Sequence, residues 1–274
     1  MFISDVIVRC SFFLYSLVII LPMVWILYTS FKTPREFLHA PWALPGRLVW
    51  ENYYHAWYTA NIGTFFLNSV IVTSGMVVLT VLLASMASYV VSRFEFFGKS
   101  VLANFFMAGL LVPKVFVTVP LFQLLLSLNL LNTHVGLILA YTGMALPFSV
   151  FVLIGFFQTL PKELESAAMV DGASHVRTFW SIMLPLARPG LVTVSIFNFL
   201  WYWNEYPTAL TVLQRESLKT LPLGLVILTE TQERAAEWGQ LFAGIIIVMI
   251  PVVVIYIMFQ RMLISGLNTG AVKE

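Results

Sequence analysis

The chain has 274 residues, of which 59% are hydrophobic and 10% charged, and its formal net charge is +2. A soluble domain carries about 25% charged residues, so a water-covered surface is excluded for most of this chain and a bilayer is the expected solvent. The small net charge excludes a nucleic-acid binder, and the single cysteine, Cys10, excludes an intrachain disulfide or a cysteine-based metal site.

Six apolar stretches reach the roughly 20 residues a membrane helix needs. They cover 11–31, 64–92, 100–122, 135–157, 189–210 and 241–264. Unpaired backbone is too costly in lipid, and these stretches are too long and too evenly apolar for barrel strands, so helices are predicted. The first stretch follows Arg9 and is too long for a cleavable signal, so it reads as an uncleaved span. Pro22, Pro113, Pro120, Pro147, Pro207 and Pro251 fall inside the predicted spans. Each removes a backbone donor, which predicts bent helices around a cavity.

Between the first two spans, 32–63 is rich in aromatics, with Trp42, Trp50, Tyr53, Tyr54, Trp57 and Tyr58. Such residues favour the headgroup interface. The short basic turn from Arg93 to Lys99 follows the second span and argues for both termini on the cytoplasmic side. Phe97-Gly98-Lys99-Ser100 echoes the end of a phosphate loop, but Arg93 stands at the first glycine position. The bulky Phe94, Glu95, Phe96 and Phe97 cannot form an open nest of amides. Lys114 lies inside the third span and either pairs with a carboxylate or snorkels to an interface.

The connection 158–188 differs from its neighbours. Pro161 suits a first helical turn, and Glu163 and Glu165 suit the positive end of a helix dipole. Ala167 and Ala168 are small enough for close approach of another surface. Gly172 breaks the helix in a left-handed conformation. Ser174 can cap a second helix that runs to Leu184 and closes at Pro185. In the fifth span, Glu205 would cost about 2.5–3.5 kcal/mol at the centre of lipid, so it faces the bundle interior, a vestibule or a partner. Trp203, Asn204 and Glu205 combine an aromatic face, an amide and a carboxylate, a sensible set of sugar contacts. The stretch 214–240, with Glu230, Glu233, Arg234 and Glu237, reads as an outer loop.

His39, His55, His134 and His175 are scattered without metal-ligand spacing or a nucleophile–base pair, so neither a metal site nor a catalytic site is read. A secondary carrier would want inverted repeats and several mid-membrane acids, and Glu205 is the one acid well inside the six stretches.

The pattern Ser166-Ala167-Ala168, three residues, Gly172, nine residues, Ile182, one residue, Leu184-Pro185 resembles the EAA loop of binding-protein-dependent ABC importer permeases. Ser166 stands where that family has glutamate, with Glu165 one residue earlier and about 100° around a helix. Further along the chain, Ser30-Phe31-Lys32, Glu51-Asn52-Tyr53, Leu67-Asn68-Ser69 and Trp203-Asn204-Glu205 resemble the maltose-permease (MalG-like) branch in order and spacing. So does the tail, Gly266 to Lys273.

The resemblance implies an all-α permease domain over 1–274 with six transmembrane helices of the type I importer kind. It implies a cytoplasmic coupling loop over 158–188 and a cytoplasmic tail over 265–274. Through Glu165, Ser166, Ala167, Ala168, Asp171, Gly172, Ile182, Leu184 and Pro185 that loop would meet an ABC ATPase dimer. Gly270, Val272 and Lys273 of the tail would touch the same ATPase pair. The implied partners also include a second homologous permease, an extracytoplasmic sugar-binding protein and membrane lipid, in a bacterial or archaeal inner membrane. ATP and Mg would sit on the ATPase, and no cofactor on this chain. The resemblance favours a sugar as cargo, with a polyol or glycerol phosphate as the alternative.

Overall fold

A run of leucine, valine, phenylalanine and isoleucine satisfies its own backbone only as a helix once water is absent. The computed structural model accordingly places helix after helix along the chain. It describes residues 2–271, with side chains over 8–260 apart from position 234. Among the described residues there is no β-strand. Four helices are long and apolar enough to cross a membrane, and six spans result if each of two bent pairs counts as one.

The chain divides into two compact units, Met1–Phe66 with Leu221–Pro251, and Leu67–Thr220 with Val252–Glu274. In the first unit, α1 (Phe2–Thr29) presents nearly all of its apolar side chains from Val8 onward outward. A short helix α2 (Pro34–His39) follows, started by a reciprocal cap in which Thr33 and Glu36 satisfy each other's backbone N–H groups. The backbone N–H of Thr33, above all, holds the Glu36 carboxyl below its usual pKa, and the Thr33 hydroxyl and the Gly46 N–H add to this against partial burial. Lys32 is buried, and its ammonium donates to the carbonyls of Ala40 (3.1 Å) and Pro41 (2.7 Å).

Residues 51–59 form two more helical turns, α3, which bury Asn52. The Asn52 amide donates to the carbonyls of Ser30 (2.8 Å) and Lys32 (2.9 Å). Rings of Trp25, Phe37, Trp42, Trp238 and Phe242 pack around this knot. Of the expected interfacial aromatics, Trp42, Trp50, Tyr54 and Tyr58 are exposed, whereas Tyr53 and Trp57 are half-buried.

In the second unit, α4 (Ile62–Arg93) ends at a turn where Gly98 takes φ +86°. The third predicted span is two helices, α5 (Lys99–Leu111) and α6 (Lys114–Ser127), which meet at 108°. A kink was expected; the break is complete because Pro113 offers no N–H and Val112, just before it, is extended at ψ 117°. The next helix, α7 (His134–Thr159), starts at Thr133, whose hydroxyl accepts from the Gly136 N–H at 2.9 Å. It packs against α5, with Gly109 facing Pro147 so closely that no Cβ would fit. Ser88 donates to the Val150 carbonyl (3.1 Å), and Asn198 donates to Ser149 (2.9 Å). Such small polar contacts join helices in lipid.

The connection after α7 holds α8 (Glu163–Val170) and α9 (His175–Leu186). Five residues of α9, Phe179–Met183, wind as a π-helical turn. The fifth span is α10 (Arg188–Trp203), bent by 71° from α9. It stops seven residues before the expected end at 210, because Pro207 forces a restart as α11 (Pro207–Val212). The stretch read as an outer loop carries a real helix, α12 (Leu221–Ala235), which buries Leu221, Leu223 and Leu228. The last helix, α13 (Trp238–Ala271), contains Pro251 and includes Gly270 in its final turn, while Val272 and Lys273 lie outside the described residues.

Candidate functional site

Two places in the second unit concentrate the residues that sequence reasoning singled out. The first is the elbow of α8 and α9. Lys162 caps α8, so Pro161 lies one residue before the cap instead of in the first turn. Glu163 and Glu165 do occupy that turn. At the other end the N–H of Asp171 donates to the Ala167 carbonyl (3.0 Å), and those of Gly172 and Ala173 donate to Met169 (3.0 Å) and Ala168 (2.9 Å). Gly172 has φ +80°, which lets the chain reverse without strain from a Cβ. Ser174 then caps α9 by accepting from the Arg177 N–H at 3.3 Å. Pro185 does not close this helix: it sits within the last turn, which ends at Leu186.

The elbow has two unlike faces. Ala168, Phe179, Met183 and Ala187 are buried in a core with Tyr89 and Phe157, and Ile182 and Leu184 pack on its edge. Outward lie Ser166, Ala167, Asp171 and Gly172, beside Met169, Val170, Val176 and Trp180. Val170 is 87% exposed and Val176 68%, so the tip is an apolar knob that the rest of the chain leaves uncovered. Pro185 is also exposed.

Glu165 does not share that outward face. Its carboxylate lies 3.4 Å from the guanidinium of Arg93, whose side chain is 3% exposed, and it lies close enough to the Tyr89 hydroxyl to act on it. Arg93 also donates to the Leu160 carbonyl at 2.6 Å. One buried side chain at the end of α4 therefore holds the end of α7 and the first turn of α8. A buried guanidinium is tolerable only with such partners. Phe94 extends the joint by packing edge-on against His175 of α9 at 5.2 Å.

The second place is where α5 breaks from α6 and α10 breaks from α11. Glu205 sits in the second break. Its Oε2 accepts from the Tyr141 hydroxyl (2.6 Å) and the Ala209 N–H (3.1 Å), and Oε1 accepts from the Thr208 N–H (2.8 Å). The carboxylate thus closes the exposed start of α11, supplying the partners its first N–H groups need. Trp203 is buried and stacks on Phe199 at 5.2 Å. Asn204 is exposed, and its amide donates to the Leu200 carbonyl at 2.9 Å. Of the three residues read as a pathway, the structure exposes one.

Sequence reasoning missed the neighbour that matters here. The Lys114 ammonium lies 3.5 Å from the ring centre of Trp201 and 5.1 Å from that of Tyr202. Among the described residues it forms no ion pair with a carboxylate. A cation one residue past a span-breaking proline was the available signal. Among the described residues no cluster of three or more His, Cys, Asp or Glu could hold a metal ion.

Residues 77–269 match the family described as "Binding-protein-dependent transport system inner membrane component". The chain is 41% identical over 260 residues to the diacetylchitobiose uptake system permease protein NgcG of Streptomyces coelicolor, covering 95% of this chain and 86% of that one. It is 31% identical to the trehalose/maltose transport system permease protein MalG of Thermococcus litoralis, covering 95% and 94%. Among solved structures, it superposes on a chain of a bacterial ABC transporter that imports the acidic polysaccharide alginate. The TM-score is 0.83 at 20% identity, over 94% of this chain and 96% of the other.

Proposed function

The chain belongs to the binding-protein-dependent transport system inner membrane components, and from that premise we propose that it is the permease half of a sugar importer driven by a separate ABC ATPase. A second, homologous permease completes the pathway, and an extracytoplasmic binding protein delivers the sugar. ATP and Mg are held by the ATPase. The sugar cargo rests on relatives whose names carry diacetylchitobiose, trehalose and maltose.

The two-faced elbow carries this reading. Its inner face is tied to α4 and α7 through Arg93, Glu165 and Leu160, while Val170 and Val176 stand exposed at the tip. An apolar knob on a rigid base suits docking into a groove of the ATPase, so that the motion of the ATPase is passed to the helices and alternates access. On this reading Ser166, Ala167, Asp171 and Gly172 meet the ATPase directly. Ala168, Ile182 and Leu184 act behind them as the anchor. The elbow and both termini then face the cytoplasm, and the tail residues Gly270, Val272 and Lys273 reach the same ATPase pair.

The test is to purify the tagged chain from its native membrane in mild detergent and identify what accompanies it. A second permease and an ABC ATPase are expected. A chain that comes out alone from several detergents overturns the reading.

A further inference from the structure

Resting on the sugar-importer reading, we propose that Lys114, Trp201 and Asn204 form a contact on this chain for a neutral, hydroxyl-rich sugar ring in transit. The first ground is the backbone. The helices on both sides of Lys114 pass as a span only when α5 and α6 are taken together, so the 108° break falls between the halves of that span. A second break, at 204–206, follows Trp201 by one turn. Non-helical backbone at membrane depth persists only inside protein or along a water-filled passage. Val112, Pro113 and Asn204 are all exposed, so the rest of this chain does not enclose the breaks.

The second ground is the chemistry of the ammonium. Lysine carries three N–H donors and no acceptor. Among the described residues, Lys114 meets two ring faces and no oxygen acceptor. Its donors are open to hydroxyl or acetamido oxygens. Trp201 is 54% exposed, so the indole beside it is a platform for the C–H face of a pyranose. Asn204 spends its amide N–H on Leu200 and keeps its carbonyl oxygen for a sugar hydroxyl.

The third ground is charge. Glu205 lies close enough to act electrostatically on Lys114. The two form no ion pair, and the hydrogen-bond partners of the Glu205 carboxylate are internal donors. A cation whose charge is partly offset by a nearby carboxylate draws an anion less than a lone one would, which favours a neutral ligand over an acidic one.

The experiment uses the whole complex in vesicles, with its ATPase and binding protein, and follows uptake of diacetylchitobiose, trehalose and maltose against ATP hydrolysed. Lys114→Met is expected to lower the sugar carried per ATP about tenfold, the loss of one charge-assisted hydrogen bond. Trp201→Phe, which keeps the packing, is expected to lower it about threefold. Hydrolysis stimulated by the binding protein stays within twofold for both. In a Cys10→Ser chain, Lys114→Cys reacts with a small thiol reagent, and the carried sugar slows that reaction. Unchanged sugar per ATP in both variants, or labelling indifferent to the sugar, overturns the contact while leaving the importer intact. If the unaltered complex carries none of these sugars, the sugar reading itself falls and the contact falls with it.

Discussion

Arg93 and Lys114 sit in the same unit, each beside a helix terminus, yet their surroundings have little in common. Arg93 has a carboxylate at 3.4 Å and a carbonyl at 2.6 Å, both supplied by its own chain. Lys114 has the faces of Trp201 and Tyr202 and no oxygen at all among the described residues. A planar guanidinium suits a joint, because one of its donors can bond the Leu160 carbonyl while its charge faces the Glu165 carboxylate. A compact ammonium over aromatic rings keeps its donors free to engage whatever passes. A cation whose partners are internal builds structure, and one whose partners are missing builds a site.

The contrast can be broken at its strong end first. Arg93→Met leaves the Glu165 carboxylate and the Leu160 carbonyl without their partner, at a cost of about 3–5 kcal/mol. The midpoint of denaturant unfolding in detergent should fall accordingly, and the ATPase should no longer co-purify. Arg93→Lys should recover only part of that loss, since a lysine cannot span both partners with a fixed fork.

Gly172→Val tests the elbow without touching the joint. No atom lies within 4 Å of the position a Cβ would take, so the penalty is conformational, about 1–2 kcal/mol at φ +80°. The chain should reach the membrane at its normal level, while uptake falls about tenfold. Normal uptake in that variant would remove the elbow from the coupling path.

Lys114→Met should barely move the unfolding midpoint, since an exposed cation–π contact is worth about 0.5–1 kcal/mol. A large loss of stability there would turn Lys114 into a second Arg93 and erase the distinction. The smallest effect is expected from Thr33→Ala in the first unit, about 1 kcal/mol for a lost cap. The backbone N–H that chiefly depresses the Glu36 pKa survives this substitution, so only the lesser hydroxyl–carboxylate part of the loss depends on pH: it is present above the carboxylate's ordinary pKa and disappears as pH falls through the lowered value. The difference between wild type and variant should therefore narrow in acid and widen at neutral pH, with the lost cap on the Glu36 backbone N–H remaining at both.

The parts legible in the sequence are those written in neighbouring residues. Apolar runs announced the spans, and Gly172 with Ser174 announced the elbow, since turn and cap chemistry acts over three or four positions. Glu165 and Glu205 were legible as acids but not in their roles. The partner of Glu205 stands 64 positions away in Tyr141, and no local pattern records that pairing. Trp201 and Trp203 illustrate the same limit. Two positions apart, they point to opposite sides of a helix, and the sequence did not say that Phe199 would claim Trp203 for the core while Trp201 stayed open. Pro113 marked its place but not its severity: a proline bends or severs a helix according to what its neighbours do with the freed carbonyls.

The π-helical turn at Phe179–Met183 holds one residue more than an α-helical turn would need. That makes it the one stretch of the elbow from which a residue can be deleted without swinging everything after it about 100° around the helix axis. A single-codon deletion between 179 and 183 would relax the turn to regular α-helix and leave Leu184 and Ala187 facing the core. The same deletion a few residues earlier, between Ser174 and Thr178, would turn the apolar face outward. Length variation in this connection thus has a built-in place to fall, and an inventory of tolerated deletions would find it there.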